Sequence, residues 1–365
     1  MTVAAALLVL IVTLVSLVAR RGAFPGRVLI IGNSPLARQL VTEFNAHRQP
    51  WQRLSDVVDD SSEAGVRAGE TAAPPLARLG PMIAQFRPDR IVVAVADRRG
   101  RLPMRELLDA TVDGVMVEDG VDCYERLTGK IAIEALTPSG VIASPAFRKN
   151  HFDLAFSHGL SLAVAASALV LLSPLFAILA LLIKIDSPGP VFFVQDRVGL
   201  RGRRFRLLKF RTMRSADGPT SEWVRDNRHR ITRVGRWLRK YRLDELPQLI
   251  NVVRRELNLV GPRPHPVTNF KLFTQRIPFY SLRSVVRPGL TGWAQIRQGY
   301  ANSLEEETEK MRYDLYYIKH MSAWLDLRII FETVRTVLAG ARDTPRVEAP
   351  IETAKPDVIR VEVAA

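Results

Sequence analysis

Arg239-Lys240-Tyr241-Arg242-Leu243-Asp244-Glu245-Leu246-Pro247-Gln248-Leu249 sets two adjacent carboxylates between a cationic run and a proline that opens an apolar helical pattern. Proline is tolerated in a first helical turn, where its missing N–H has no intrahelical partner to lose. Asp244 and Glu245 therefore fall at or just before a helix N-terminus, where the dipole and free N–H groups favour ionised acids. On its own, D-E-x-P reads as a helix-start acid with a solvated neighbour. The surrounding stretches change that reading, because several are shaped to hold a phosphorylated ligand at a membrane surface.

Working outward, the charge is concentrated around this stretch. The 365-residue chain carries a net charge of +15, and between Arg197 and Arg242 there are sixteen Lys/Arg against three acids, Asp217, Glu222 and Asp226. Such a surface implies an anionic partner: nucleic acid, an anionic membrane or a phosphorylated substrate. The single cysteine, Cys123, excludes an internal disulfide and a cysteine-rich metal site, and fits a reducing compartment.

Two stretches are too apolar for a soluble protein. Residues 3–19 carry no charge and are closed by Arg20-Arg21. At about 1.5 Å per residue they just cover a ~30 Å hydrocarbon core. No basic segment precedes them and no small-x-small cleavage site follows, so a single spanning helix over 1–21 is expected rather than a signal peptide. The positive-inside rule then puts Arg20-Arg21 in the cytoplasm. Residues 160–183 form the second stretch, with Ser173-Pro174 near the middle. Pro174 removes one backbone hydrogen bond and clashes with the preceding turn, which predicts a break there. Arg148-Lys149 flank one end, and Lys184 and the arginine-rich run the other. Both ends therefore favour the cytoplasm, and a re-entrant helix-break-helix over 154–185 is expected, with Ser173 answering freed carbonyls.

Between these stretches the pattern is α/β. Strands are expected at 27–32, 90–96 and 114–117 and helices at 34–45 and 102–111, which suggests a Rossmann-like, doubly wound domain over 25–146. The first turn, Gly32-Asn33-Ser34-Pro35-Leu36-Ala37, takes the place of a dinucleotide fingerprint but has Ser34 where the second glycine lets a pyrophosphate approach. Asp59 or Asp60 stands where a ribose-binding acid would. A scaffold without a bound cofactor is the reading taken, and no Tyr-x-x-x-Lys pair supports short-chain dehydrogenase chemistry. Residues 61–75 are a polar loop.

Beyond the break, Ser187-Pro188-Gly189-Pro190-Val191 sets a rigid turn, and Phe205-Arg206-Leu207-Leu208-Lys209-Phe210-Arg211-Thr212-Met213 alternates cationic and apolar residues. This is a strand presenting Lys209 and Arg211 to an anion, or a solvated strand face. Gly261-Pro262-Arg263-Pro264 holds an arginine between prolines, which limits the entropy lost when its planar fork clamps a phosphate. Arg287-Pro288-Gly289-Leu290-Thr291-Gly292-Trp293 is another shaped turn, and Ser303-Leu304-Glu305-Glu306 has capping-box form. Residues 324–338 either lie along a membrane interface or pack as a core helix. Residues 343–365 read as a disordered tail.

Taken together and in order, the Ser173-Pro174 break, Ser187-Pro188-Gly189-Pro190-Val191, Lys209-Phe210-Arg211-Thr212-Met213, Leu243-Asp244-Glu245-Leu246-Pro247-Gln248, Gly261-Pro262-Arg263-Pro264 and Pro288-Gly289-Leu290-Thr291-Gly292-Trp293 closely resemble the bacterial sugar transferases, the monotopic polyprenyl-phosphate phosphoglycosyl transferases. The resemblance implies a mostly helical catalytic domain over 148–342. The layout with a preceding Rossmann-like domain is similar to exopolysaccharide-priming members, which often carry about four N-terminal spans where this chain shows one. It implies transfer of a sugar 1-phosphate from a UDP-sugar to undecaprenyl phosphate, with Mg²⁺, at the bacterial inner membrane with globular parts on the cytoplasmic face. Asp244 takes the family's nucleophile position, and a carboxylate in that role splits one hard step into two. Arg239 and the helix start are expected to keep it ionised. Glu245, about 100° round a helix, is assigned to Mg²⁺, with Asp244, and to the acceptor proton. Arg263, Lys209, Arg211 and Arg239 are expected to bind substrate phosphates, and Asp314 matches an acid of the family's Asp-x-x-Tyr stretch. Anionic lipids are expected against the basic run; nucleic acid is not, and self-association is left open. Two rivals remain at this level, a basic nucleic-acid-binding membrane protein and a membrane-anchored nucleotide sensor.

Overall fold

The computed structural model describes residues 26–46, 52–58, 79–95, 102–147, 151–214, 230–298, 301 and 303–338. The expected spanning helix at 1–21, Asp59 and Asp60, the loop 61–75, Arg148-Lys149 and the tail 343–365 lie outside the described residues.

The first half alternates strand and helix: β1 (Gly26–Ile31), α1 (Pro35–Ala46), β2 (Gln52–Val58), α2 (Leu79–Phe86), β3 (Arg90–Val93), α3 (Met104–Val112), β4 (Met116–Asp119) and α4 (Gly120–Thr128). The strands make a parallel sheet in the order β2-β1-β3-β4. Side chains alternate across a strand, so Val28 and Ile30 pack with α1 and α4 on one face while Leu29 and Ile31 pack with α2 and α3 on the other. Both faces are covered, as a parallel sheet requires. Strand β2 escapes a reading by apolar runs because it is an edge strand, where polar Gln52, Arg53, Ser55 and Asp56 are tolerated.

The turn after β1 is explained by packing. Gly32 has φ +122°, and a Cβ there would meet the Ala94 carbonyl oxygen at 2.5 Å. Ser34 Oγ donates to the same oxygen at 2.5 Å and accepts from the Ala37 N–H at 3.1 Å, capping α1.

The second half begins with α5 (Pro138–Ala143) and two apolar helices, α6 (His151–Leu171) and α7 (Ser173–Asp186), joined by Leu172. The break falls at the expected residues and its chemistry is visible. Pro174 has no N–H for the Val170 carbonyl, and Ser173 Oγ donates to that carbonyl instead, at 2.8 Å. Ser157, Ser161 and Ala165 recur every fourth residue on the buried face of α6. Their small side chains let the helix approach the backbone closely enough for Ser161 Oγ to accept from the Leu259 N–H at 2.9 Å. Past this seam the large side chains turn outward: Val170, Leu171, Ile178, Leu181 and Ile185 are exposed. An apolar surface of this extent is expected to meet lipid or protein rather than water.

The rest of the chain wraps the same core. It comprises an antiparallel hairpin β5 (Phe192–Val198) and β6 (Arg204–Phe210), α8 (Arg233–Lys240), α9 (Gln248–Val253), β7 (Asn258–Val260), α10 (Val267–Arg276), β8 (Gly289–Thr291), α11 (Trp293–Arg297), α12 (Leu304–His320) and α13 (Ala323–Leu338). Strands β7 and β8 pair in parallel. Phe205, Leu249, Phe273, Tyr280, Trp293, Met311, Leu315 and Ile329 share one buried cluster. The expected cap is present, with Ser303 Oγ accepting from the Glu306 N–H. Helix α12 also carries the first half of the chain. Lys319 Nζ lies 2.8 Å from both carboxylate oxygens of Glu125, and Arg312 Nη1 is 2.8 Å from Glu134. From α11, Trp293 Nε1 donates to the Gly129 carbonyl at 2.9 Å.

Helix α13 packs into the core, the second of the two placements open to residues 324–338. Leu325 and Ile329 are buried, and Asp326, 2 % exposed, accepts from the Tyr317 hydroxyl at 2.8 Å. Burial pushes the Asp326 carboxyl up from 3.8 to about 6, with hydrogen bonds from Ser157 and Tyr317 opposing. Its folded value lies above its unfolded one, so the stability it contributes is full below about pH 4 and is lost as pH rises through about 6. Asp326→Asn is expected to flatten the fall in stability across that window by up to one proton, about 1.4 kcal/mol per pH unit at the steepest. Urea unfolding at stepped pH measures this; an unchanged slope would contradict it.

Candidate active site

Asp244 and Glu245 share one 3-10 turn, Leu243–Glu245, which follows α8 and is separated from α9 by Leu246 and Pro247. Strand β6 supplies the first cation. Phe205 and Leu207 point into the core, and Lys209, next on that face, brings an ammonium under the turn. Lys209 Nζ lies 2.9 Å from Glu245 Oε1, and Arg263 Nη2 reaches the same oxygen at 2.7 Å. Asn251, on α9, ties that helix to the strand. Its Oδ1 accepts from the Leu208 N–H at 3.0 Å and its Nδ2 donates to the Arg206 carbonyl at 2.8 Å.

The two carboxylates are pushed in opposite directions. Burial alone would raise Glu245, but Arg263 and Lys209 outweigh it and hold the group far below the usual carboxylate range. The Glu245 carboxylate is thus held in its charged form by the two cations it pairs with. Asp244 moves upward: burial and the Glu245 charge outweigh Lys209, Arg239 and Arg263. The helix start and Arg239 do not dominate there as expected. Among the described residues the Asp244 carboxylate has no hydrogen bond or ion pair of its own, so its charge is less fully compensated than that of Glu245. Lys209 is pulled down by burial, with Glu245 opposing and Arg263 adding.

The remaining expected residues divide. Arg239 stays beside the site, its Nε donating to Thr212 Oγ1 at 2.8 Å. Arg211, expected to bind a substrate phosphate, has its guanidinium engaged by the protein instead. It is buried, with Nη1 on the Pro188 carbonyl at 2.7 Å and Nη2 on the Ser187 carbonyl at 2.6 Å. Gly189, φ +119°, makes room for it, since a Cβ there would overlap Arg211 Nη1. Two of the quoted motifs are thus a single clasp. Asp314 is likewise internal, 1 % exposed and 2.8 Å from Arg283 Nη2; burial raises it to about 6 against the pull of Arg283.

Arg283, Glu307 and Tyr280 are the residues that sequence reasoning missed. Arg283 Nη2 donates to the Arg263 carbonyl at 3.1 Å, and its Nη1 reaches Glu307 at 3.0 Å and the Tyr280 hydroxyl. Arg197 Nη1 donates to the Pro264 carbonyl at 2.9 Å. The proline-flanked loop is therefore held from both sides by guanidiniums on its backbone. An arginine bound to a distant carbonyl has no sequence signature; the capping box at Ser303 marks only the helix that carries Glu307.

A preformed metal cage is absent among the described residues, where no three His, Cys, Asp or Glu converge. Glu245 Oε1 is taken by two cations, which leaves Oε2, 3.8 Å from Arg242, and the Asp244 carboxylate. That donor set fits magnesium only as an ion drawing most of its shell from phosphates and water.

The chain is similar to several known proteins. The chain is 42 % identical over 221 residues to the UDP-N-acetylgalactosamine-undecaprenyl-phosphate N-acetylgalactosaminephosphotransferase of Aeromonas hydrophila, covering 59 % of this chain and 51 % of that protein. It is 44 % identical over 182 residues to a UDP-glucose:undecaprenyl-phosphate glucose-1-phosphate transferase of Caulobacter vibrioides, covering 49 % and 68 %. It is 35 % identical over 325 residues to the undecaprenyl-phosphate glucose phosphotransferase of Komagataeibacter xylinus, covering 85 % and 58 %. The chain thus spans about half to two-thirds of the length of these relatives. The family described as Bacterial sugar transferase matches residues 152–340, a segment that contains every residue of the site, and the chain belongs to that family.

Proposed function

We propose that the protein transfers a sugar 1-phosphate from a UDP-sugar to undecaprenyl phosphate, releasing UMP and starting a polysaccharide repeat unit. The observation that carries this is the Asp244 carboxylate, unpartnered among the described residues and beside Lys209, Arg239 and Arg263, on a turn that α8 joins to apolar α7 through Leu238, Leu179 and Ile183. The names of the relatives support the substrate classes, and those names differ in the sugar.

In this reading an Asp244 oxygen attacks the phosphorus that bears the sugar. The bond from that phosphorus to the UMP phosphate oxygen breaks, UMP leaves with the electron pair, and the sugar phosphate is held as an acyl phosphate. An oxygen of undecaprenyl phosphate then attacks the same phosphorus and Asp244 departs as a carboxylate. Both phosphate groups act as anions, so no proton is required from Glu245. Its task is to fix Lys209 and Arg263, which offset charge as it develops. Magnesium, held by Asp244, Glu245 Oε2 and the diphosphate, would add charge neutralisation.

The α6–break–α7 unit acts as a re-entrant seat in the inner membrane, with the site at headgroup level on the cytoplasmic side. The first half is a Rossmann-like scaffold docked on α12. UMP release across a panel of UDP-sugars tests the activity: release dependent on undecaprenyl phosphate supports it, and none with any sugar contradicts it. Topology is tested separately. Reporters fused at residue 146 and after residue 186 are both expected to read cytoplasmic, and opposite sides would mean that the helices cross the bilayer.

A further inference from the structure

At the far end of α9 from Asp244 lies a cavity of about 230 Å³, lined by His158, Gly159, Leu162, Arg255, Asn258 and Arg287 among others. It is several times a water's ~30 Å³ share of liquid volume. None of the lining residues belongs to the Lys209–Glu245–Arg263 cluster. Arg255 and Arg287 both line this space, their charges both act on His158 of the same lining, and among the described residues neither has an ion pair or a side-chain hydrogen bond. Burial, and then the Arg255 charge, pull Arg287 below its ordinary value. Arg255 follows α9 with φ +62°, a left-handed position where glycine is the ordinary occupant.

The walls indicate what carries the anion. Leu162, Val252 and Leu257 make one side apolar. From Leu162 the same face of α6 continues through Ala166 to Val170, which is 75 % exposed, and reaches the Ser173-Pro174 break. An apolar track of about 12 Å, at 1.5 Å per residue, thus leads out of a dicationic pocket toward the exposed tip of the helix pair. Paired arginine forks suit a phosphate better than a diffuse negative surface does.

We infer that Arg255 and Arg287 form a second anion site, distinct from the reacting centre, which takes the phosphate of a membrane lipid with its chain laid along α6.

Native mass spectrometry of the full-length chain in mild detergent tests this, with dioleoyl phosphatidic acid, dioleoyl phosphatidylcholine and inorganic phosphate as probes. The wild type should retain one more phosphatidic acid than R255Q/R287Q, at a lipid concentration at least about tenfold lower than that variant needs. R236Q/K240Q, which removes two exposed charges of α8, should retain as much as the wild type. Equal retention by R255Q/R287Q, or equal loss in both variants, would overturn the site. Retention of phosphatidylcholine as strong as that of phosphatidic acid would overturn the role of the exposed phosphate. Displacement of the lipid by inorganic phosphate at the same concentration would overturn the lipid source. Should R255Q/R287Q fail to fold, Arg287→Lys, which keeps the charge and loses the fork, should still weaken retention several-fold; unchanged retention would overturn the inference.

Discussion

Asp244→Asn is expected to lower UMP release by at least about 10³-fold, roughly 4 kcal/mol of transition-state stabilisation, while the protein stays folded. The amide matches the carboxylate in size but its oxygen is not a competent nucleophile at phosphorus. Stability should be unchanged or slightly higher. The substitution removes a half-buried charge that Glu245 repels, and Asp244 anchors no partner of its own among the described residues. Glu245→Gln should behave differently. It leaves Lys209 and Arg263 facing each other without their shared anion, so activity and thermal stability should fall together. Activity loss without stability loss at 244, and loss of both at 245, is the split that separates the reacting group from the group that positions its neighbours. Retained turnover in Asp244→Asn would remove Asp244 from the chemistry.

The largest effect on stability is expected at Arg283. Its guanidinium is buried between Glu307, Asp314 and Tyr280, and it holds the Arg263 carbonyl. Arg283→Leu strands two buried carboxylates, and losing one partner of a buried ion pair costs about 3–5 kcal/mol. At roughly 2–4 °C per kcal/mol for a domain of this size, the melting temperature should drop on the order of 10 °C. Asp314→Asn in the Arg283→Leu background should recover part of that loss, because one stranded charge is neutralised; a cycle with both single variants isolates the coupling. Strictly additive effects would mean that the pair does not act as a unit. Transfer activity should also fall in Arg283→Leu, since the Arg263 loop loses one of its two guanidinium anchors.

The Ser173-Pro174 break was legible in the sequence because proline has one backbone consequence, and the structure adds only that Ser173 answers Val170. The strands of the first half were legible wherever apolar runs are continuous, and β2 was hidden by its polar edge residues. The adjacency of Asp244 and Glu245 was plain, but their opposite environments were not, since Lys209 and Arg263 lie far from them in the chain. Charge counting overstated the anion-binding surface. Arg197, Arg211 and Arg239 of the basic run are bonded to protein oxygens, so they are engaged in building the site. Side chains that bond remote carbonyls, such as Arg211 on Ser187 and Arg283 on Arg263, follow no local periodicity and become visible only when the chain is folded.

Whether Asp244 carries the phosphosugar is tested most directly by the intact mass of the full-length protein after incubation with its UDP-sugar and no acceptor. The account predicts an added sugar phosphate that disappears when undecaprenyl phosphate is supplied and never forms in Asp244→Asn. Full turnover by a wild-type protein that shows no such adduct, with the asparagine variant equally active, would contradict it.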